Sequence, residues 1–402
     1  MKTAAIIAEC NPFHKGHEYL IRSVREKTGA ERIIVLLSGN YVQRGIPAVT
    51  DRHVRAQMAL YGGADLVLAY PTRFATASAE AFACHGVQIL DRLGCVDFLA
   101  FGSESGDLEK LLKAAAFFAE EDPDFQEKIK ENLKAGDTFA KARAKAAGEY
   151  GSLVSSPNNI LAVEYLKTLL KTGSAMQPFT VTRKTGSEET SENSGKAVTH
   201  SASAIREILA RNTNLAGIER EIPAACLPVL LDSVSRAGSV HENDLSLLLM
   251  DRLRNASSPE ELVCFQDVTP ELARAAFRER NRFARFADLS EQLHTKNRTH
   301  SSVNRALLHI ALGIQERNIP ENGIYTQILG FRKDAAALLH LIKERAAISV
   351  VSKAADARET LGAEAFSLFD EELRVCDLYE GIRTGKTGNP FRPEIAKPPV
   401  II

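Results

Sequence analysis

The chain has 402 residues, 45 % of them hydrophobic and 25 % charged, with 50 Lys and Arg against 51 Asp and Glu for a formal charge of −1. This composition excludes collagen-like, wholly disordered and disulfide-scaffold proteins, and the length leaves room for two or three domains. A near-zero sum does not exclude nucleic-acid binding, because opposite charges on different segments cancel.

Six scattered cysteines (Cys10, Cys84, Cys95, Cys226, Cys264, Cys376) form no C-x-x-C pair and have no histidine at ligand spacing. The expectation is no disulfide framework and no protein-held metal. The N-terminal apolar run is too short for a signal peptide, and no later window approaches the ~20 apolar residues of a membrane span. A soluble cytoplasmic protein with no membrane and no evident protein partner is the expected class.

In chain order, short apolar runs at 4–8, 33–37, 65–69 and 98–101, with a later one at 179–182, alternate with helical spacing at 16–28, 51–61, 75–93 and 108–119. Strand starts recur about every thirty residues, the length of a βαβ unit. The predicted fold is therefore α/β, an open doubly wound parallel sheet of Rossmann-like type, with its ligand outside the carboxyl ends of the strands. From 122 to 173 the spacing is helical, and 184–203, rich in Ser, Gly and Glu, reads as a long mobile loop. Beyond 212 the pattern is mostly helical, broken by Pro223, Pro259, Pro270 and Pro320, with 347–352 as an isolated strand. The expected division is a catalytic domain over 1–212 and a mostly α-helical domain over 213–402.

The strongest local signal is Asn11-Pro12-Phe13-His14-Lys15-Gly16-His17, between the first strand and the first helix. Three residues apart at a helix start, His14 and His17 can face one point. Gly16 admits close backbone approach, and the helix N-terminus offers free N–H groups. These parts suit a triphosphate whose α-phosphate gains charge during in-line attack. Cys10 has no general base at suitable spacing and reads as a packed thiol.

The His-x-Gly-His stretch resembles the HIGH-type nucleotidyltransferase superfamily, and Ser201-Ala202-Ser203-Ala204-Ile205-Arg206 is similar to its second phosphate motif, with Ser203 where threonine is common. Ser38-Gly39-Asn40-Tyr41-Val42-Gln43-Arg44-Gly45, Gly63-Ala64-Asp65-Leu66-Val67, Phe101-Gly102-Ser103-Glu104 and Pro157-Asn158-Asn159-Ile160-Leu161 narrow the resemblance to the bacterial tRNA(Met) cytidine acetate ligases. Ile328-Leu329-Gly330-Phe331 and Val350-Val351-Ser352-Lys353 extend it more loosely. The resemblance implies that acetate is activated by ATP as acetyl-adenylate and passed to N4 of the wobble cytidine of elongator tRNA(Met), with any Mg2+ bound through ATP. It makes His14 and His17 catalytic. It also implies that ATP contacts Ile7, Asn11, Pro12, Phe13, Lys15, Gly16, Leu20, Gly102, one of Asn158 and Asn159, and Arg183, with Ser201, Ser203 and Arg206 at the β- and γ-phosphates. Ser38, Gly39, Gln43 and Arg44 are candidates for the acetate or cytidine side, although residue chemistry alone reads Arg44 as a surface cation.

Residues 274–305 hold eight basic against three acidic side chains, a local excess of +5. Phe277, Phe283 and Phe286 within it read as a buried stripe, while Lys296, Arg298 and Arg305 are candidate tRNA contacts, with Arg332 and Lys333 placed beside them. Two other classes compete: a small-molecule adenylyltransferase, which leaves about half the chain unexplained, and a non-catalytic tRNA- or ribosome-binding protein, disfavoured by the intact histidine pair.

Overall fold

The computed structural model describes residues 1–120, 122–183, 202–211 and 217–402; the loop expected at 184–203 lies almost wholly outside them. Runs of Ile, Val and Leu with no polar alternation build the centre of the sheet, as expected of strands covered on both faces. The central strands are β1 (Thr3–Ala8), β2 (Arg32–Ser38), β5 (Leu66–Tyr70) and β6 (Phe98–Ser103), while β7 (Gln177–Thr182) lies at the sheet's edge with mostly part-exposed residues, and β3 (Tyr41–Val42) and β4 (Ile46–Pro47) form a small hairpin after β2. The five long strands lie parallel in the order β5-β2-β1-β6-β7. Each boundary falls within a few residues of its predicted position.

The sheet is wound on both faces. The helices Lys15–Thr28 and Arg52–Tyr61 share one core with Ile33, Val35, Leu37 and Val67. Ala79–Asp91, Leu108–Ala119 and Pro157–Thr172 share another with Ile34, Leu36 and Leu68. The single helix predicted over 75–93 is two, Thr72–Ala75 and Ala79–Asp91, because the Ser78 hydroxyl accepts from the Ala81 amide and starts a new helix.

The C-terminal half is mostly helical, and its helices 246–255, 270–279, 286–293 and 300–312 enclose a third core. It also returns to the sheet. Strand β8 (Tyr325–Phe331) pairs antiparallel with β5, and β10 (Val400–Ile401) pairs with β8. The run expected as an isolated strand is β9 (Ser349–Val351), parallel to β8. Gly330 permits the outer pairing, since a Cβ there would come within 2.7 Å of the Val400 carbonyl oxygen.

Two buried arginines of the second helix tie these parts together. Arg55, fully buried, donates to the carbonyls of Glu9, Ser38, Gly39 and Thr50, and so ties the carboxyl ends of β1 and β2 to one guanidinium. Arg52 reaches the other way, to Glu372 at 2.9 Å and Glu394 at 2.8 Å. Among the described residues no helix is long and apolar enough to cross a membrane.

Candidate active site

The site forms where the sheet topology places ligands, at the carboxyl ends of β1, β2, β6 and β7. After β1 the chain turns through Cys10, which adopts a left-handed φ of 47°. Burial pushes the Cys10 thiol up to about 12, so it stays protonated and inert, as a packed thiol should. Asn11 accepts from the Val49 amide at 2.8 Å, and its carbonyl takes the Arg206 guanidinium at 2.9 Å.

His14 caps the first helix through its ring: Nδ1 accepts from the Gly16 amide at 3.0 Å. His17 returns the favour, its Nδ1 accepting from the His14 amide at 3.2 Å. This is a capping box built from two imidazoles in place of the usual hydroxyl and carboxyl. Because each Nδ1 is an acceptor, each neutral ring carries its proton on Nε2. The two rings lie 4.0 Å apart. Burial, followed by the positive charges of Arg183 and Arg206, lowers His14 to about 4. Burial, His14 and Arg183 together hold His17 well below its ordinary value. The pair is thus two uncharged N–H donors at neutral pH, backed by a helix N-terminus and two arginines, an arrangement that stabilises negative charge developing on phosphate without accepting a proton.

Gly16 serves the histidine as well as any ligand. A Cβ at Gly16 would stand 2.7 Å from His14 Cε1 and 2.9 Å from Nδ1, so the ring could not cap the helix. Gly16→Ala should therefore cost about 1 kcal/mol in stability through the lost cap and cut adenylate formation on the order of 10²-fold by displacing one donor. A variant with wild-type pyrophosphate exchange would show that the glycine does not set the ring's position.

Across the sheet, Glu104 at the end of β6 caps the Pro157–Thr172 helix. Its Oε2 accepts from the Asn159 amide at 2.7 Å, and Oε1 accepts from the Asn158 amide at 3.2 Å and side-chain Nδ2 at 2.7 Å. Asn158 Oδ1 in turn holds Arg183 Nη1 at 2.7 Å, and the Arg183 stem lies over Gly102, where a Cβ would meet its Cγ at 3.0 Å. Asn159 is buried and occupied by the Ser105 amide at 3.0 Å. Of the two asparagines, Asn158 is the one facing the cleft. Glu104, quoted in the sequence only as part of a motif, is the residue that positions it.

Contacts and charge effects link Asn11, His14, Gly16, His17, Gly102, Asn158, Arg183 and Arg206 to one another, with Lys15 exposed at the helix start, while the partly buried Ile7 packs toward Gly86. Leu20 and His17 line a narrow apolar slot with Ile6, Ala8, Cys10, Phe13, Ile21 and Val35. Pro12 and Phe13 are buried, and the Phe13 ring packs where Gly62 leaves no Cβ, so its side chain is core. Ser201 lies outside the described residues. Ser203 begins the Ala202–Arg211 helix, as its motif predicts, and only its backbone is described.

Of the candidates for the acetate or cytidine side, Ser38 and Gly39 are buried. The Ser38 carbonyl accepts from Arg55, and a Cβ on Gly39 would meet Glu372 Oε1 at 2.9 Å. Gln43 and Arg44 remain on the accessible surface of the hairpin. The Gln43 amide donates to Glu9 Oε1 at 2.9 Å, and sequence reasoning passed over Glu9, Glu104 and Arg55 alike. Gly45 lets the hairpin lie directly against the backbone of Asn304 and Arg305 on the His300–Leu312 helix, so the helical half borders the site.

The candidate RNA contacts divide. Lys296 is exposed and its Nζ donates to the Gly136 carbonyl at 3.1 Å, while Arg298 is partly buried. Arg305 is committed to Asp267 at 3.1 Å with its side chain 14 % exposed. Arg332 and Lys333 follow β8, whose Phe331 pairs with Leu66 at the amino end of β5. They sit at the sheet edge opposite the cleft, where Arg332 joins Asp334 and Arg32. Phe283 and Phe286 are buried, as a core stripe requires.

Fold and site together are those of a nucleotidyl transferase, with a capped helix N-terminus and two neutral imidazoles at the carboxyl edge of a doubly wound sheet. A family model for HIGH nucleotidyl transferases matches residues 1–390. The tRNA(Met) cytidine acetate ligase of Thermoanaerobacter sp. (strain X514) is 35 % identical over 388 residues, covering 94 % of this chain and 95 % of its own. That of Acetivibrio thermocellus is 31 % identical over 395 residues, covering 94 % of each. Among solved structures, Thermotoga maritima TmcAL bound with alpha-thio ATP is 25 % identical, covers both chains fully and superposes with a TM-score of 0.88. The chain belongs to the tRNA(Met) cytidine acetate ligase family of HIGH nucleotidyl transferases.

Proposed function

We propose that the protein is an ATP-dependent ligase that activates acetate as acetyl-adenylate, releasing pyrophosphate, and transfers the acetyl group to N4 of the wobble cytidine of elongator tRNA(Met), releasing AMP. The observation that carries this reading is the paired Nε2–H donors of His14 and His17 beside Arg183 and Arg206. An acetate oxygen attacks the α-phosphorus and the bond to the bridging oxygen breaks, so charge grows on the non-bridging and leaving oxygens. Two neutral donors and two guanidiniums answer that charge without a covalent intermediate.

In this reading residues 1–212 form the adenylating part and 213–402 hold the tRNA, with Lys296 and Arg298 among its phosphate contacts. The committed ion pair of Arg305 and the remote position of Arg332 and Lys333 favour structural roles for these three. Any Mg2+ enters with ATP. The place of work is the cytoplasm, where tRNA is found.

Incubation with ATP and labelled acetate, with and without bulk tRNA, tests the proposal. Label should enter RNA only when ATP is present and be released as N4-acetylcytidine on digestion. Adenylyl transfer to a small molecule, with no label in RNA, would replace the ligase by a small-molecule adenylyltransferase.

A further inference from the structure

We propose that Glu9 is the catalytic base of the acetyl-transfer step, accepting the proton that the cytidine amine loses; this inference rests on the ligase reading above. The proton inventory of the two half-reactions creates the need. In the first, acetate enters as an anion and pyrophosphate leaves as one, so no proton moves. In the second, the N4 electron pair forms a bond to the acetyl carbon. The bond from that carbon to the AMP phosphate oxygen breaks, and AMP leaves with the electron pair. N4 then carries one proton too many, and a protein group or water must take it.

The histidines cannot. His14 Nδ1 already accepts from the Gly16 amide and His17 Nδ1 from the His14 amide, which leaves each ring with an N–H and no lone pair facing the cleft. Glu104 is committed as well, with Oε1 shared by the Asn158 amide and side chain and Oε2 held by the Asn159 amide. Cys10 is buried and stays protonated.

Glu9 differs from all of these. It follows β1 directly, at the carboxyl edge of the sheet, and is partly exposed. One oxygen, Oε1, is fixed by the Gln43 amide at 2.9 Å, while Oε2 makes no hydrogen bond among the described residues. Its backbone carbonyl is held at 2.7 Å by buried Arg55, so the residue is anchored at its backbone and at one carboxylate oxygen. The positive charges of Arg44, Arg206 and Arg55 act on the carboxylate, and Arg206 also donates to the Asn11 carbonyl beside the histidine pair. Burial raises its proton affinity above that of an ordinary carboxyl, with the Gln43 amide and the three arginines pulling the other way. A carboxylate lifted toward the working pH is a better base than one at its usual value.

Glu9→Gln keeps the acceptor for the Gln43 amide and removes the base. The two half-reactions are read separately, as acetate-dependent exchange of labelled pyrophosphate into ATP and as single-turnover transfer of labelled acetyl to tRNA. Transfer should fall by about 10²–10⁴-fold, and by at least about tenfold more than exchange does. The wild-type transfer rate should also rise with pH through a titration that the variant lacks. Glu242→Gln, which alters another carboxylate facing Arg206, should retain transfer. Equal losses in both half-reactions, or unchanged transfer in Glu9→Gln, would overturn the assignment while leaving the ligase reading intact. A wild-type protein that performs neither half-reaction would overturn both.

Discussion

His17→Ala lowers acetyl-adenylate formation on the order of 10²–10³-fold, the usual cost of deleting one preorganised donor to developing charge, and leaves tRNA affinity within about twofold. The asymmetry follows from the geometry. The His17 ring gives its Nε2–H to the cleft and its Nδ1 to the His14 amide, so the substitution removes one donor and loosens the cap that aims the other. No predicted RNA contact touches either ring. Because His14 is held at about 4 by burial and the neighbouring arginines, and His17 is also held low, the free enzyme keeps both imidazoles neutral throughout pH 5.5–7.5. The kcat/KM for adenylation, which reports the free enzyme, should therefore show no step at the ordinary histidine value near 6.5. Pyrophosphate exchange and filter binding of tRNA are the measurements. Parallel loss of adenylation and tRNA binding would make the motif a structural element.

The parallel half of the sheet was legible because it obeys local rules. Runs such as Arg32–Ser38 and Leu66–Tyr70 are buried on both faces, and so carry the uninterrupted apolar pattern that marks a central parallel strand. The histidine motif was legible because its spacing coincides with a strand-to-helix turn. What escaped were features whose cause lies far away in sequence. Strand β8 contains Gln327 and Gly330, and exists because β5 has a free edge and Val400 approaches closely enough to need a glycine. Glu104 could not be distinguished from a surface carboxylate until the Pro157–Thr172 helix brought its N-terminus there. Arg55 reads as one more helix cation, and only the fold shows four backbone carbonyls around it. Arg305 shows the same limit: it reads as one more cation of a basic stretch, and only the fold shows Asp267, thirty-eight residues earlier, paired with it.

The largest stability effect is expected at Arg52, far from the phosphates. Its guanidinium is fully buried between Glu372, Glu394 and the Gln327 side chain at 3.0 Å. Replacement by alanine strands two carboxylates that are themselves 4 % and 0 % exposed, and breaking one side of such a buried pair costs about 3–5 kcal/mol. Lys397 stands 3.4 Å from Glu394, which caps the loss, but Glu372 has no second cation within ion-pair distance among the described residues. The sign of the pH effect is fixed by Glu394. Burial alone would raise its carboxyl, but Arg52 and then His53 override this and hold it at about 2. A depressed carboxyl contributes stability that is present above its unfolded value near 4.5 and lost as pH falls toward 2. Removing Arg52 raises the folded value, so the acid transition of Arg52→Ala should begin at higher pH than that of the wild type, and its urea midpoint at neutral pH should fall. Arg52 reaches from the second helix of the sheet to the Ala363–Thr387 helix and the C-terminal segment. A fall of less than about 1 kcal/mol would mean that these parts are held together by their apolar contacts alone. A loss of the expected size that also frees the C-terminal segment to proteolysis would make the buried arginine the joint between the ATP site and the helices beside it.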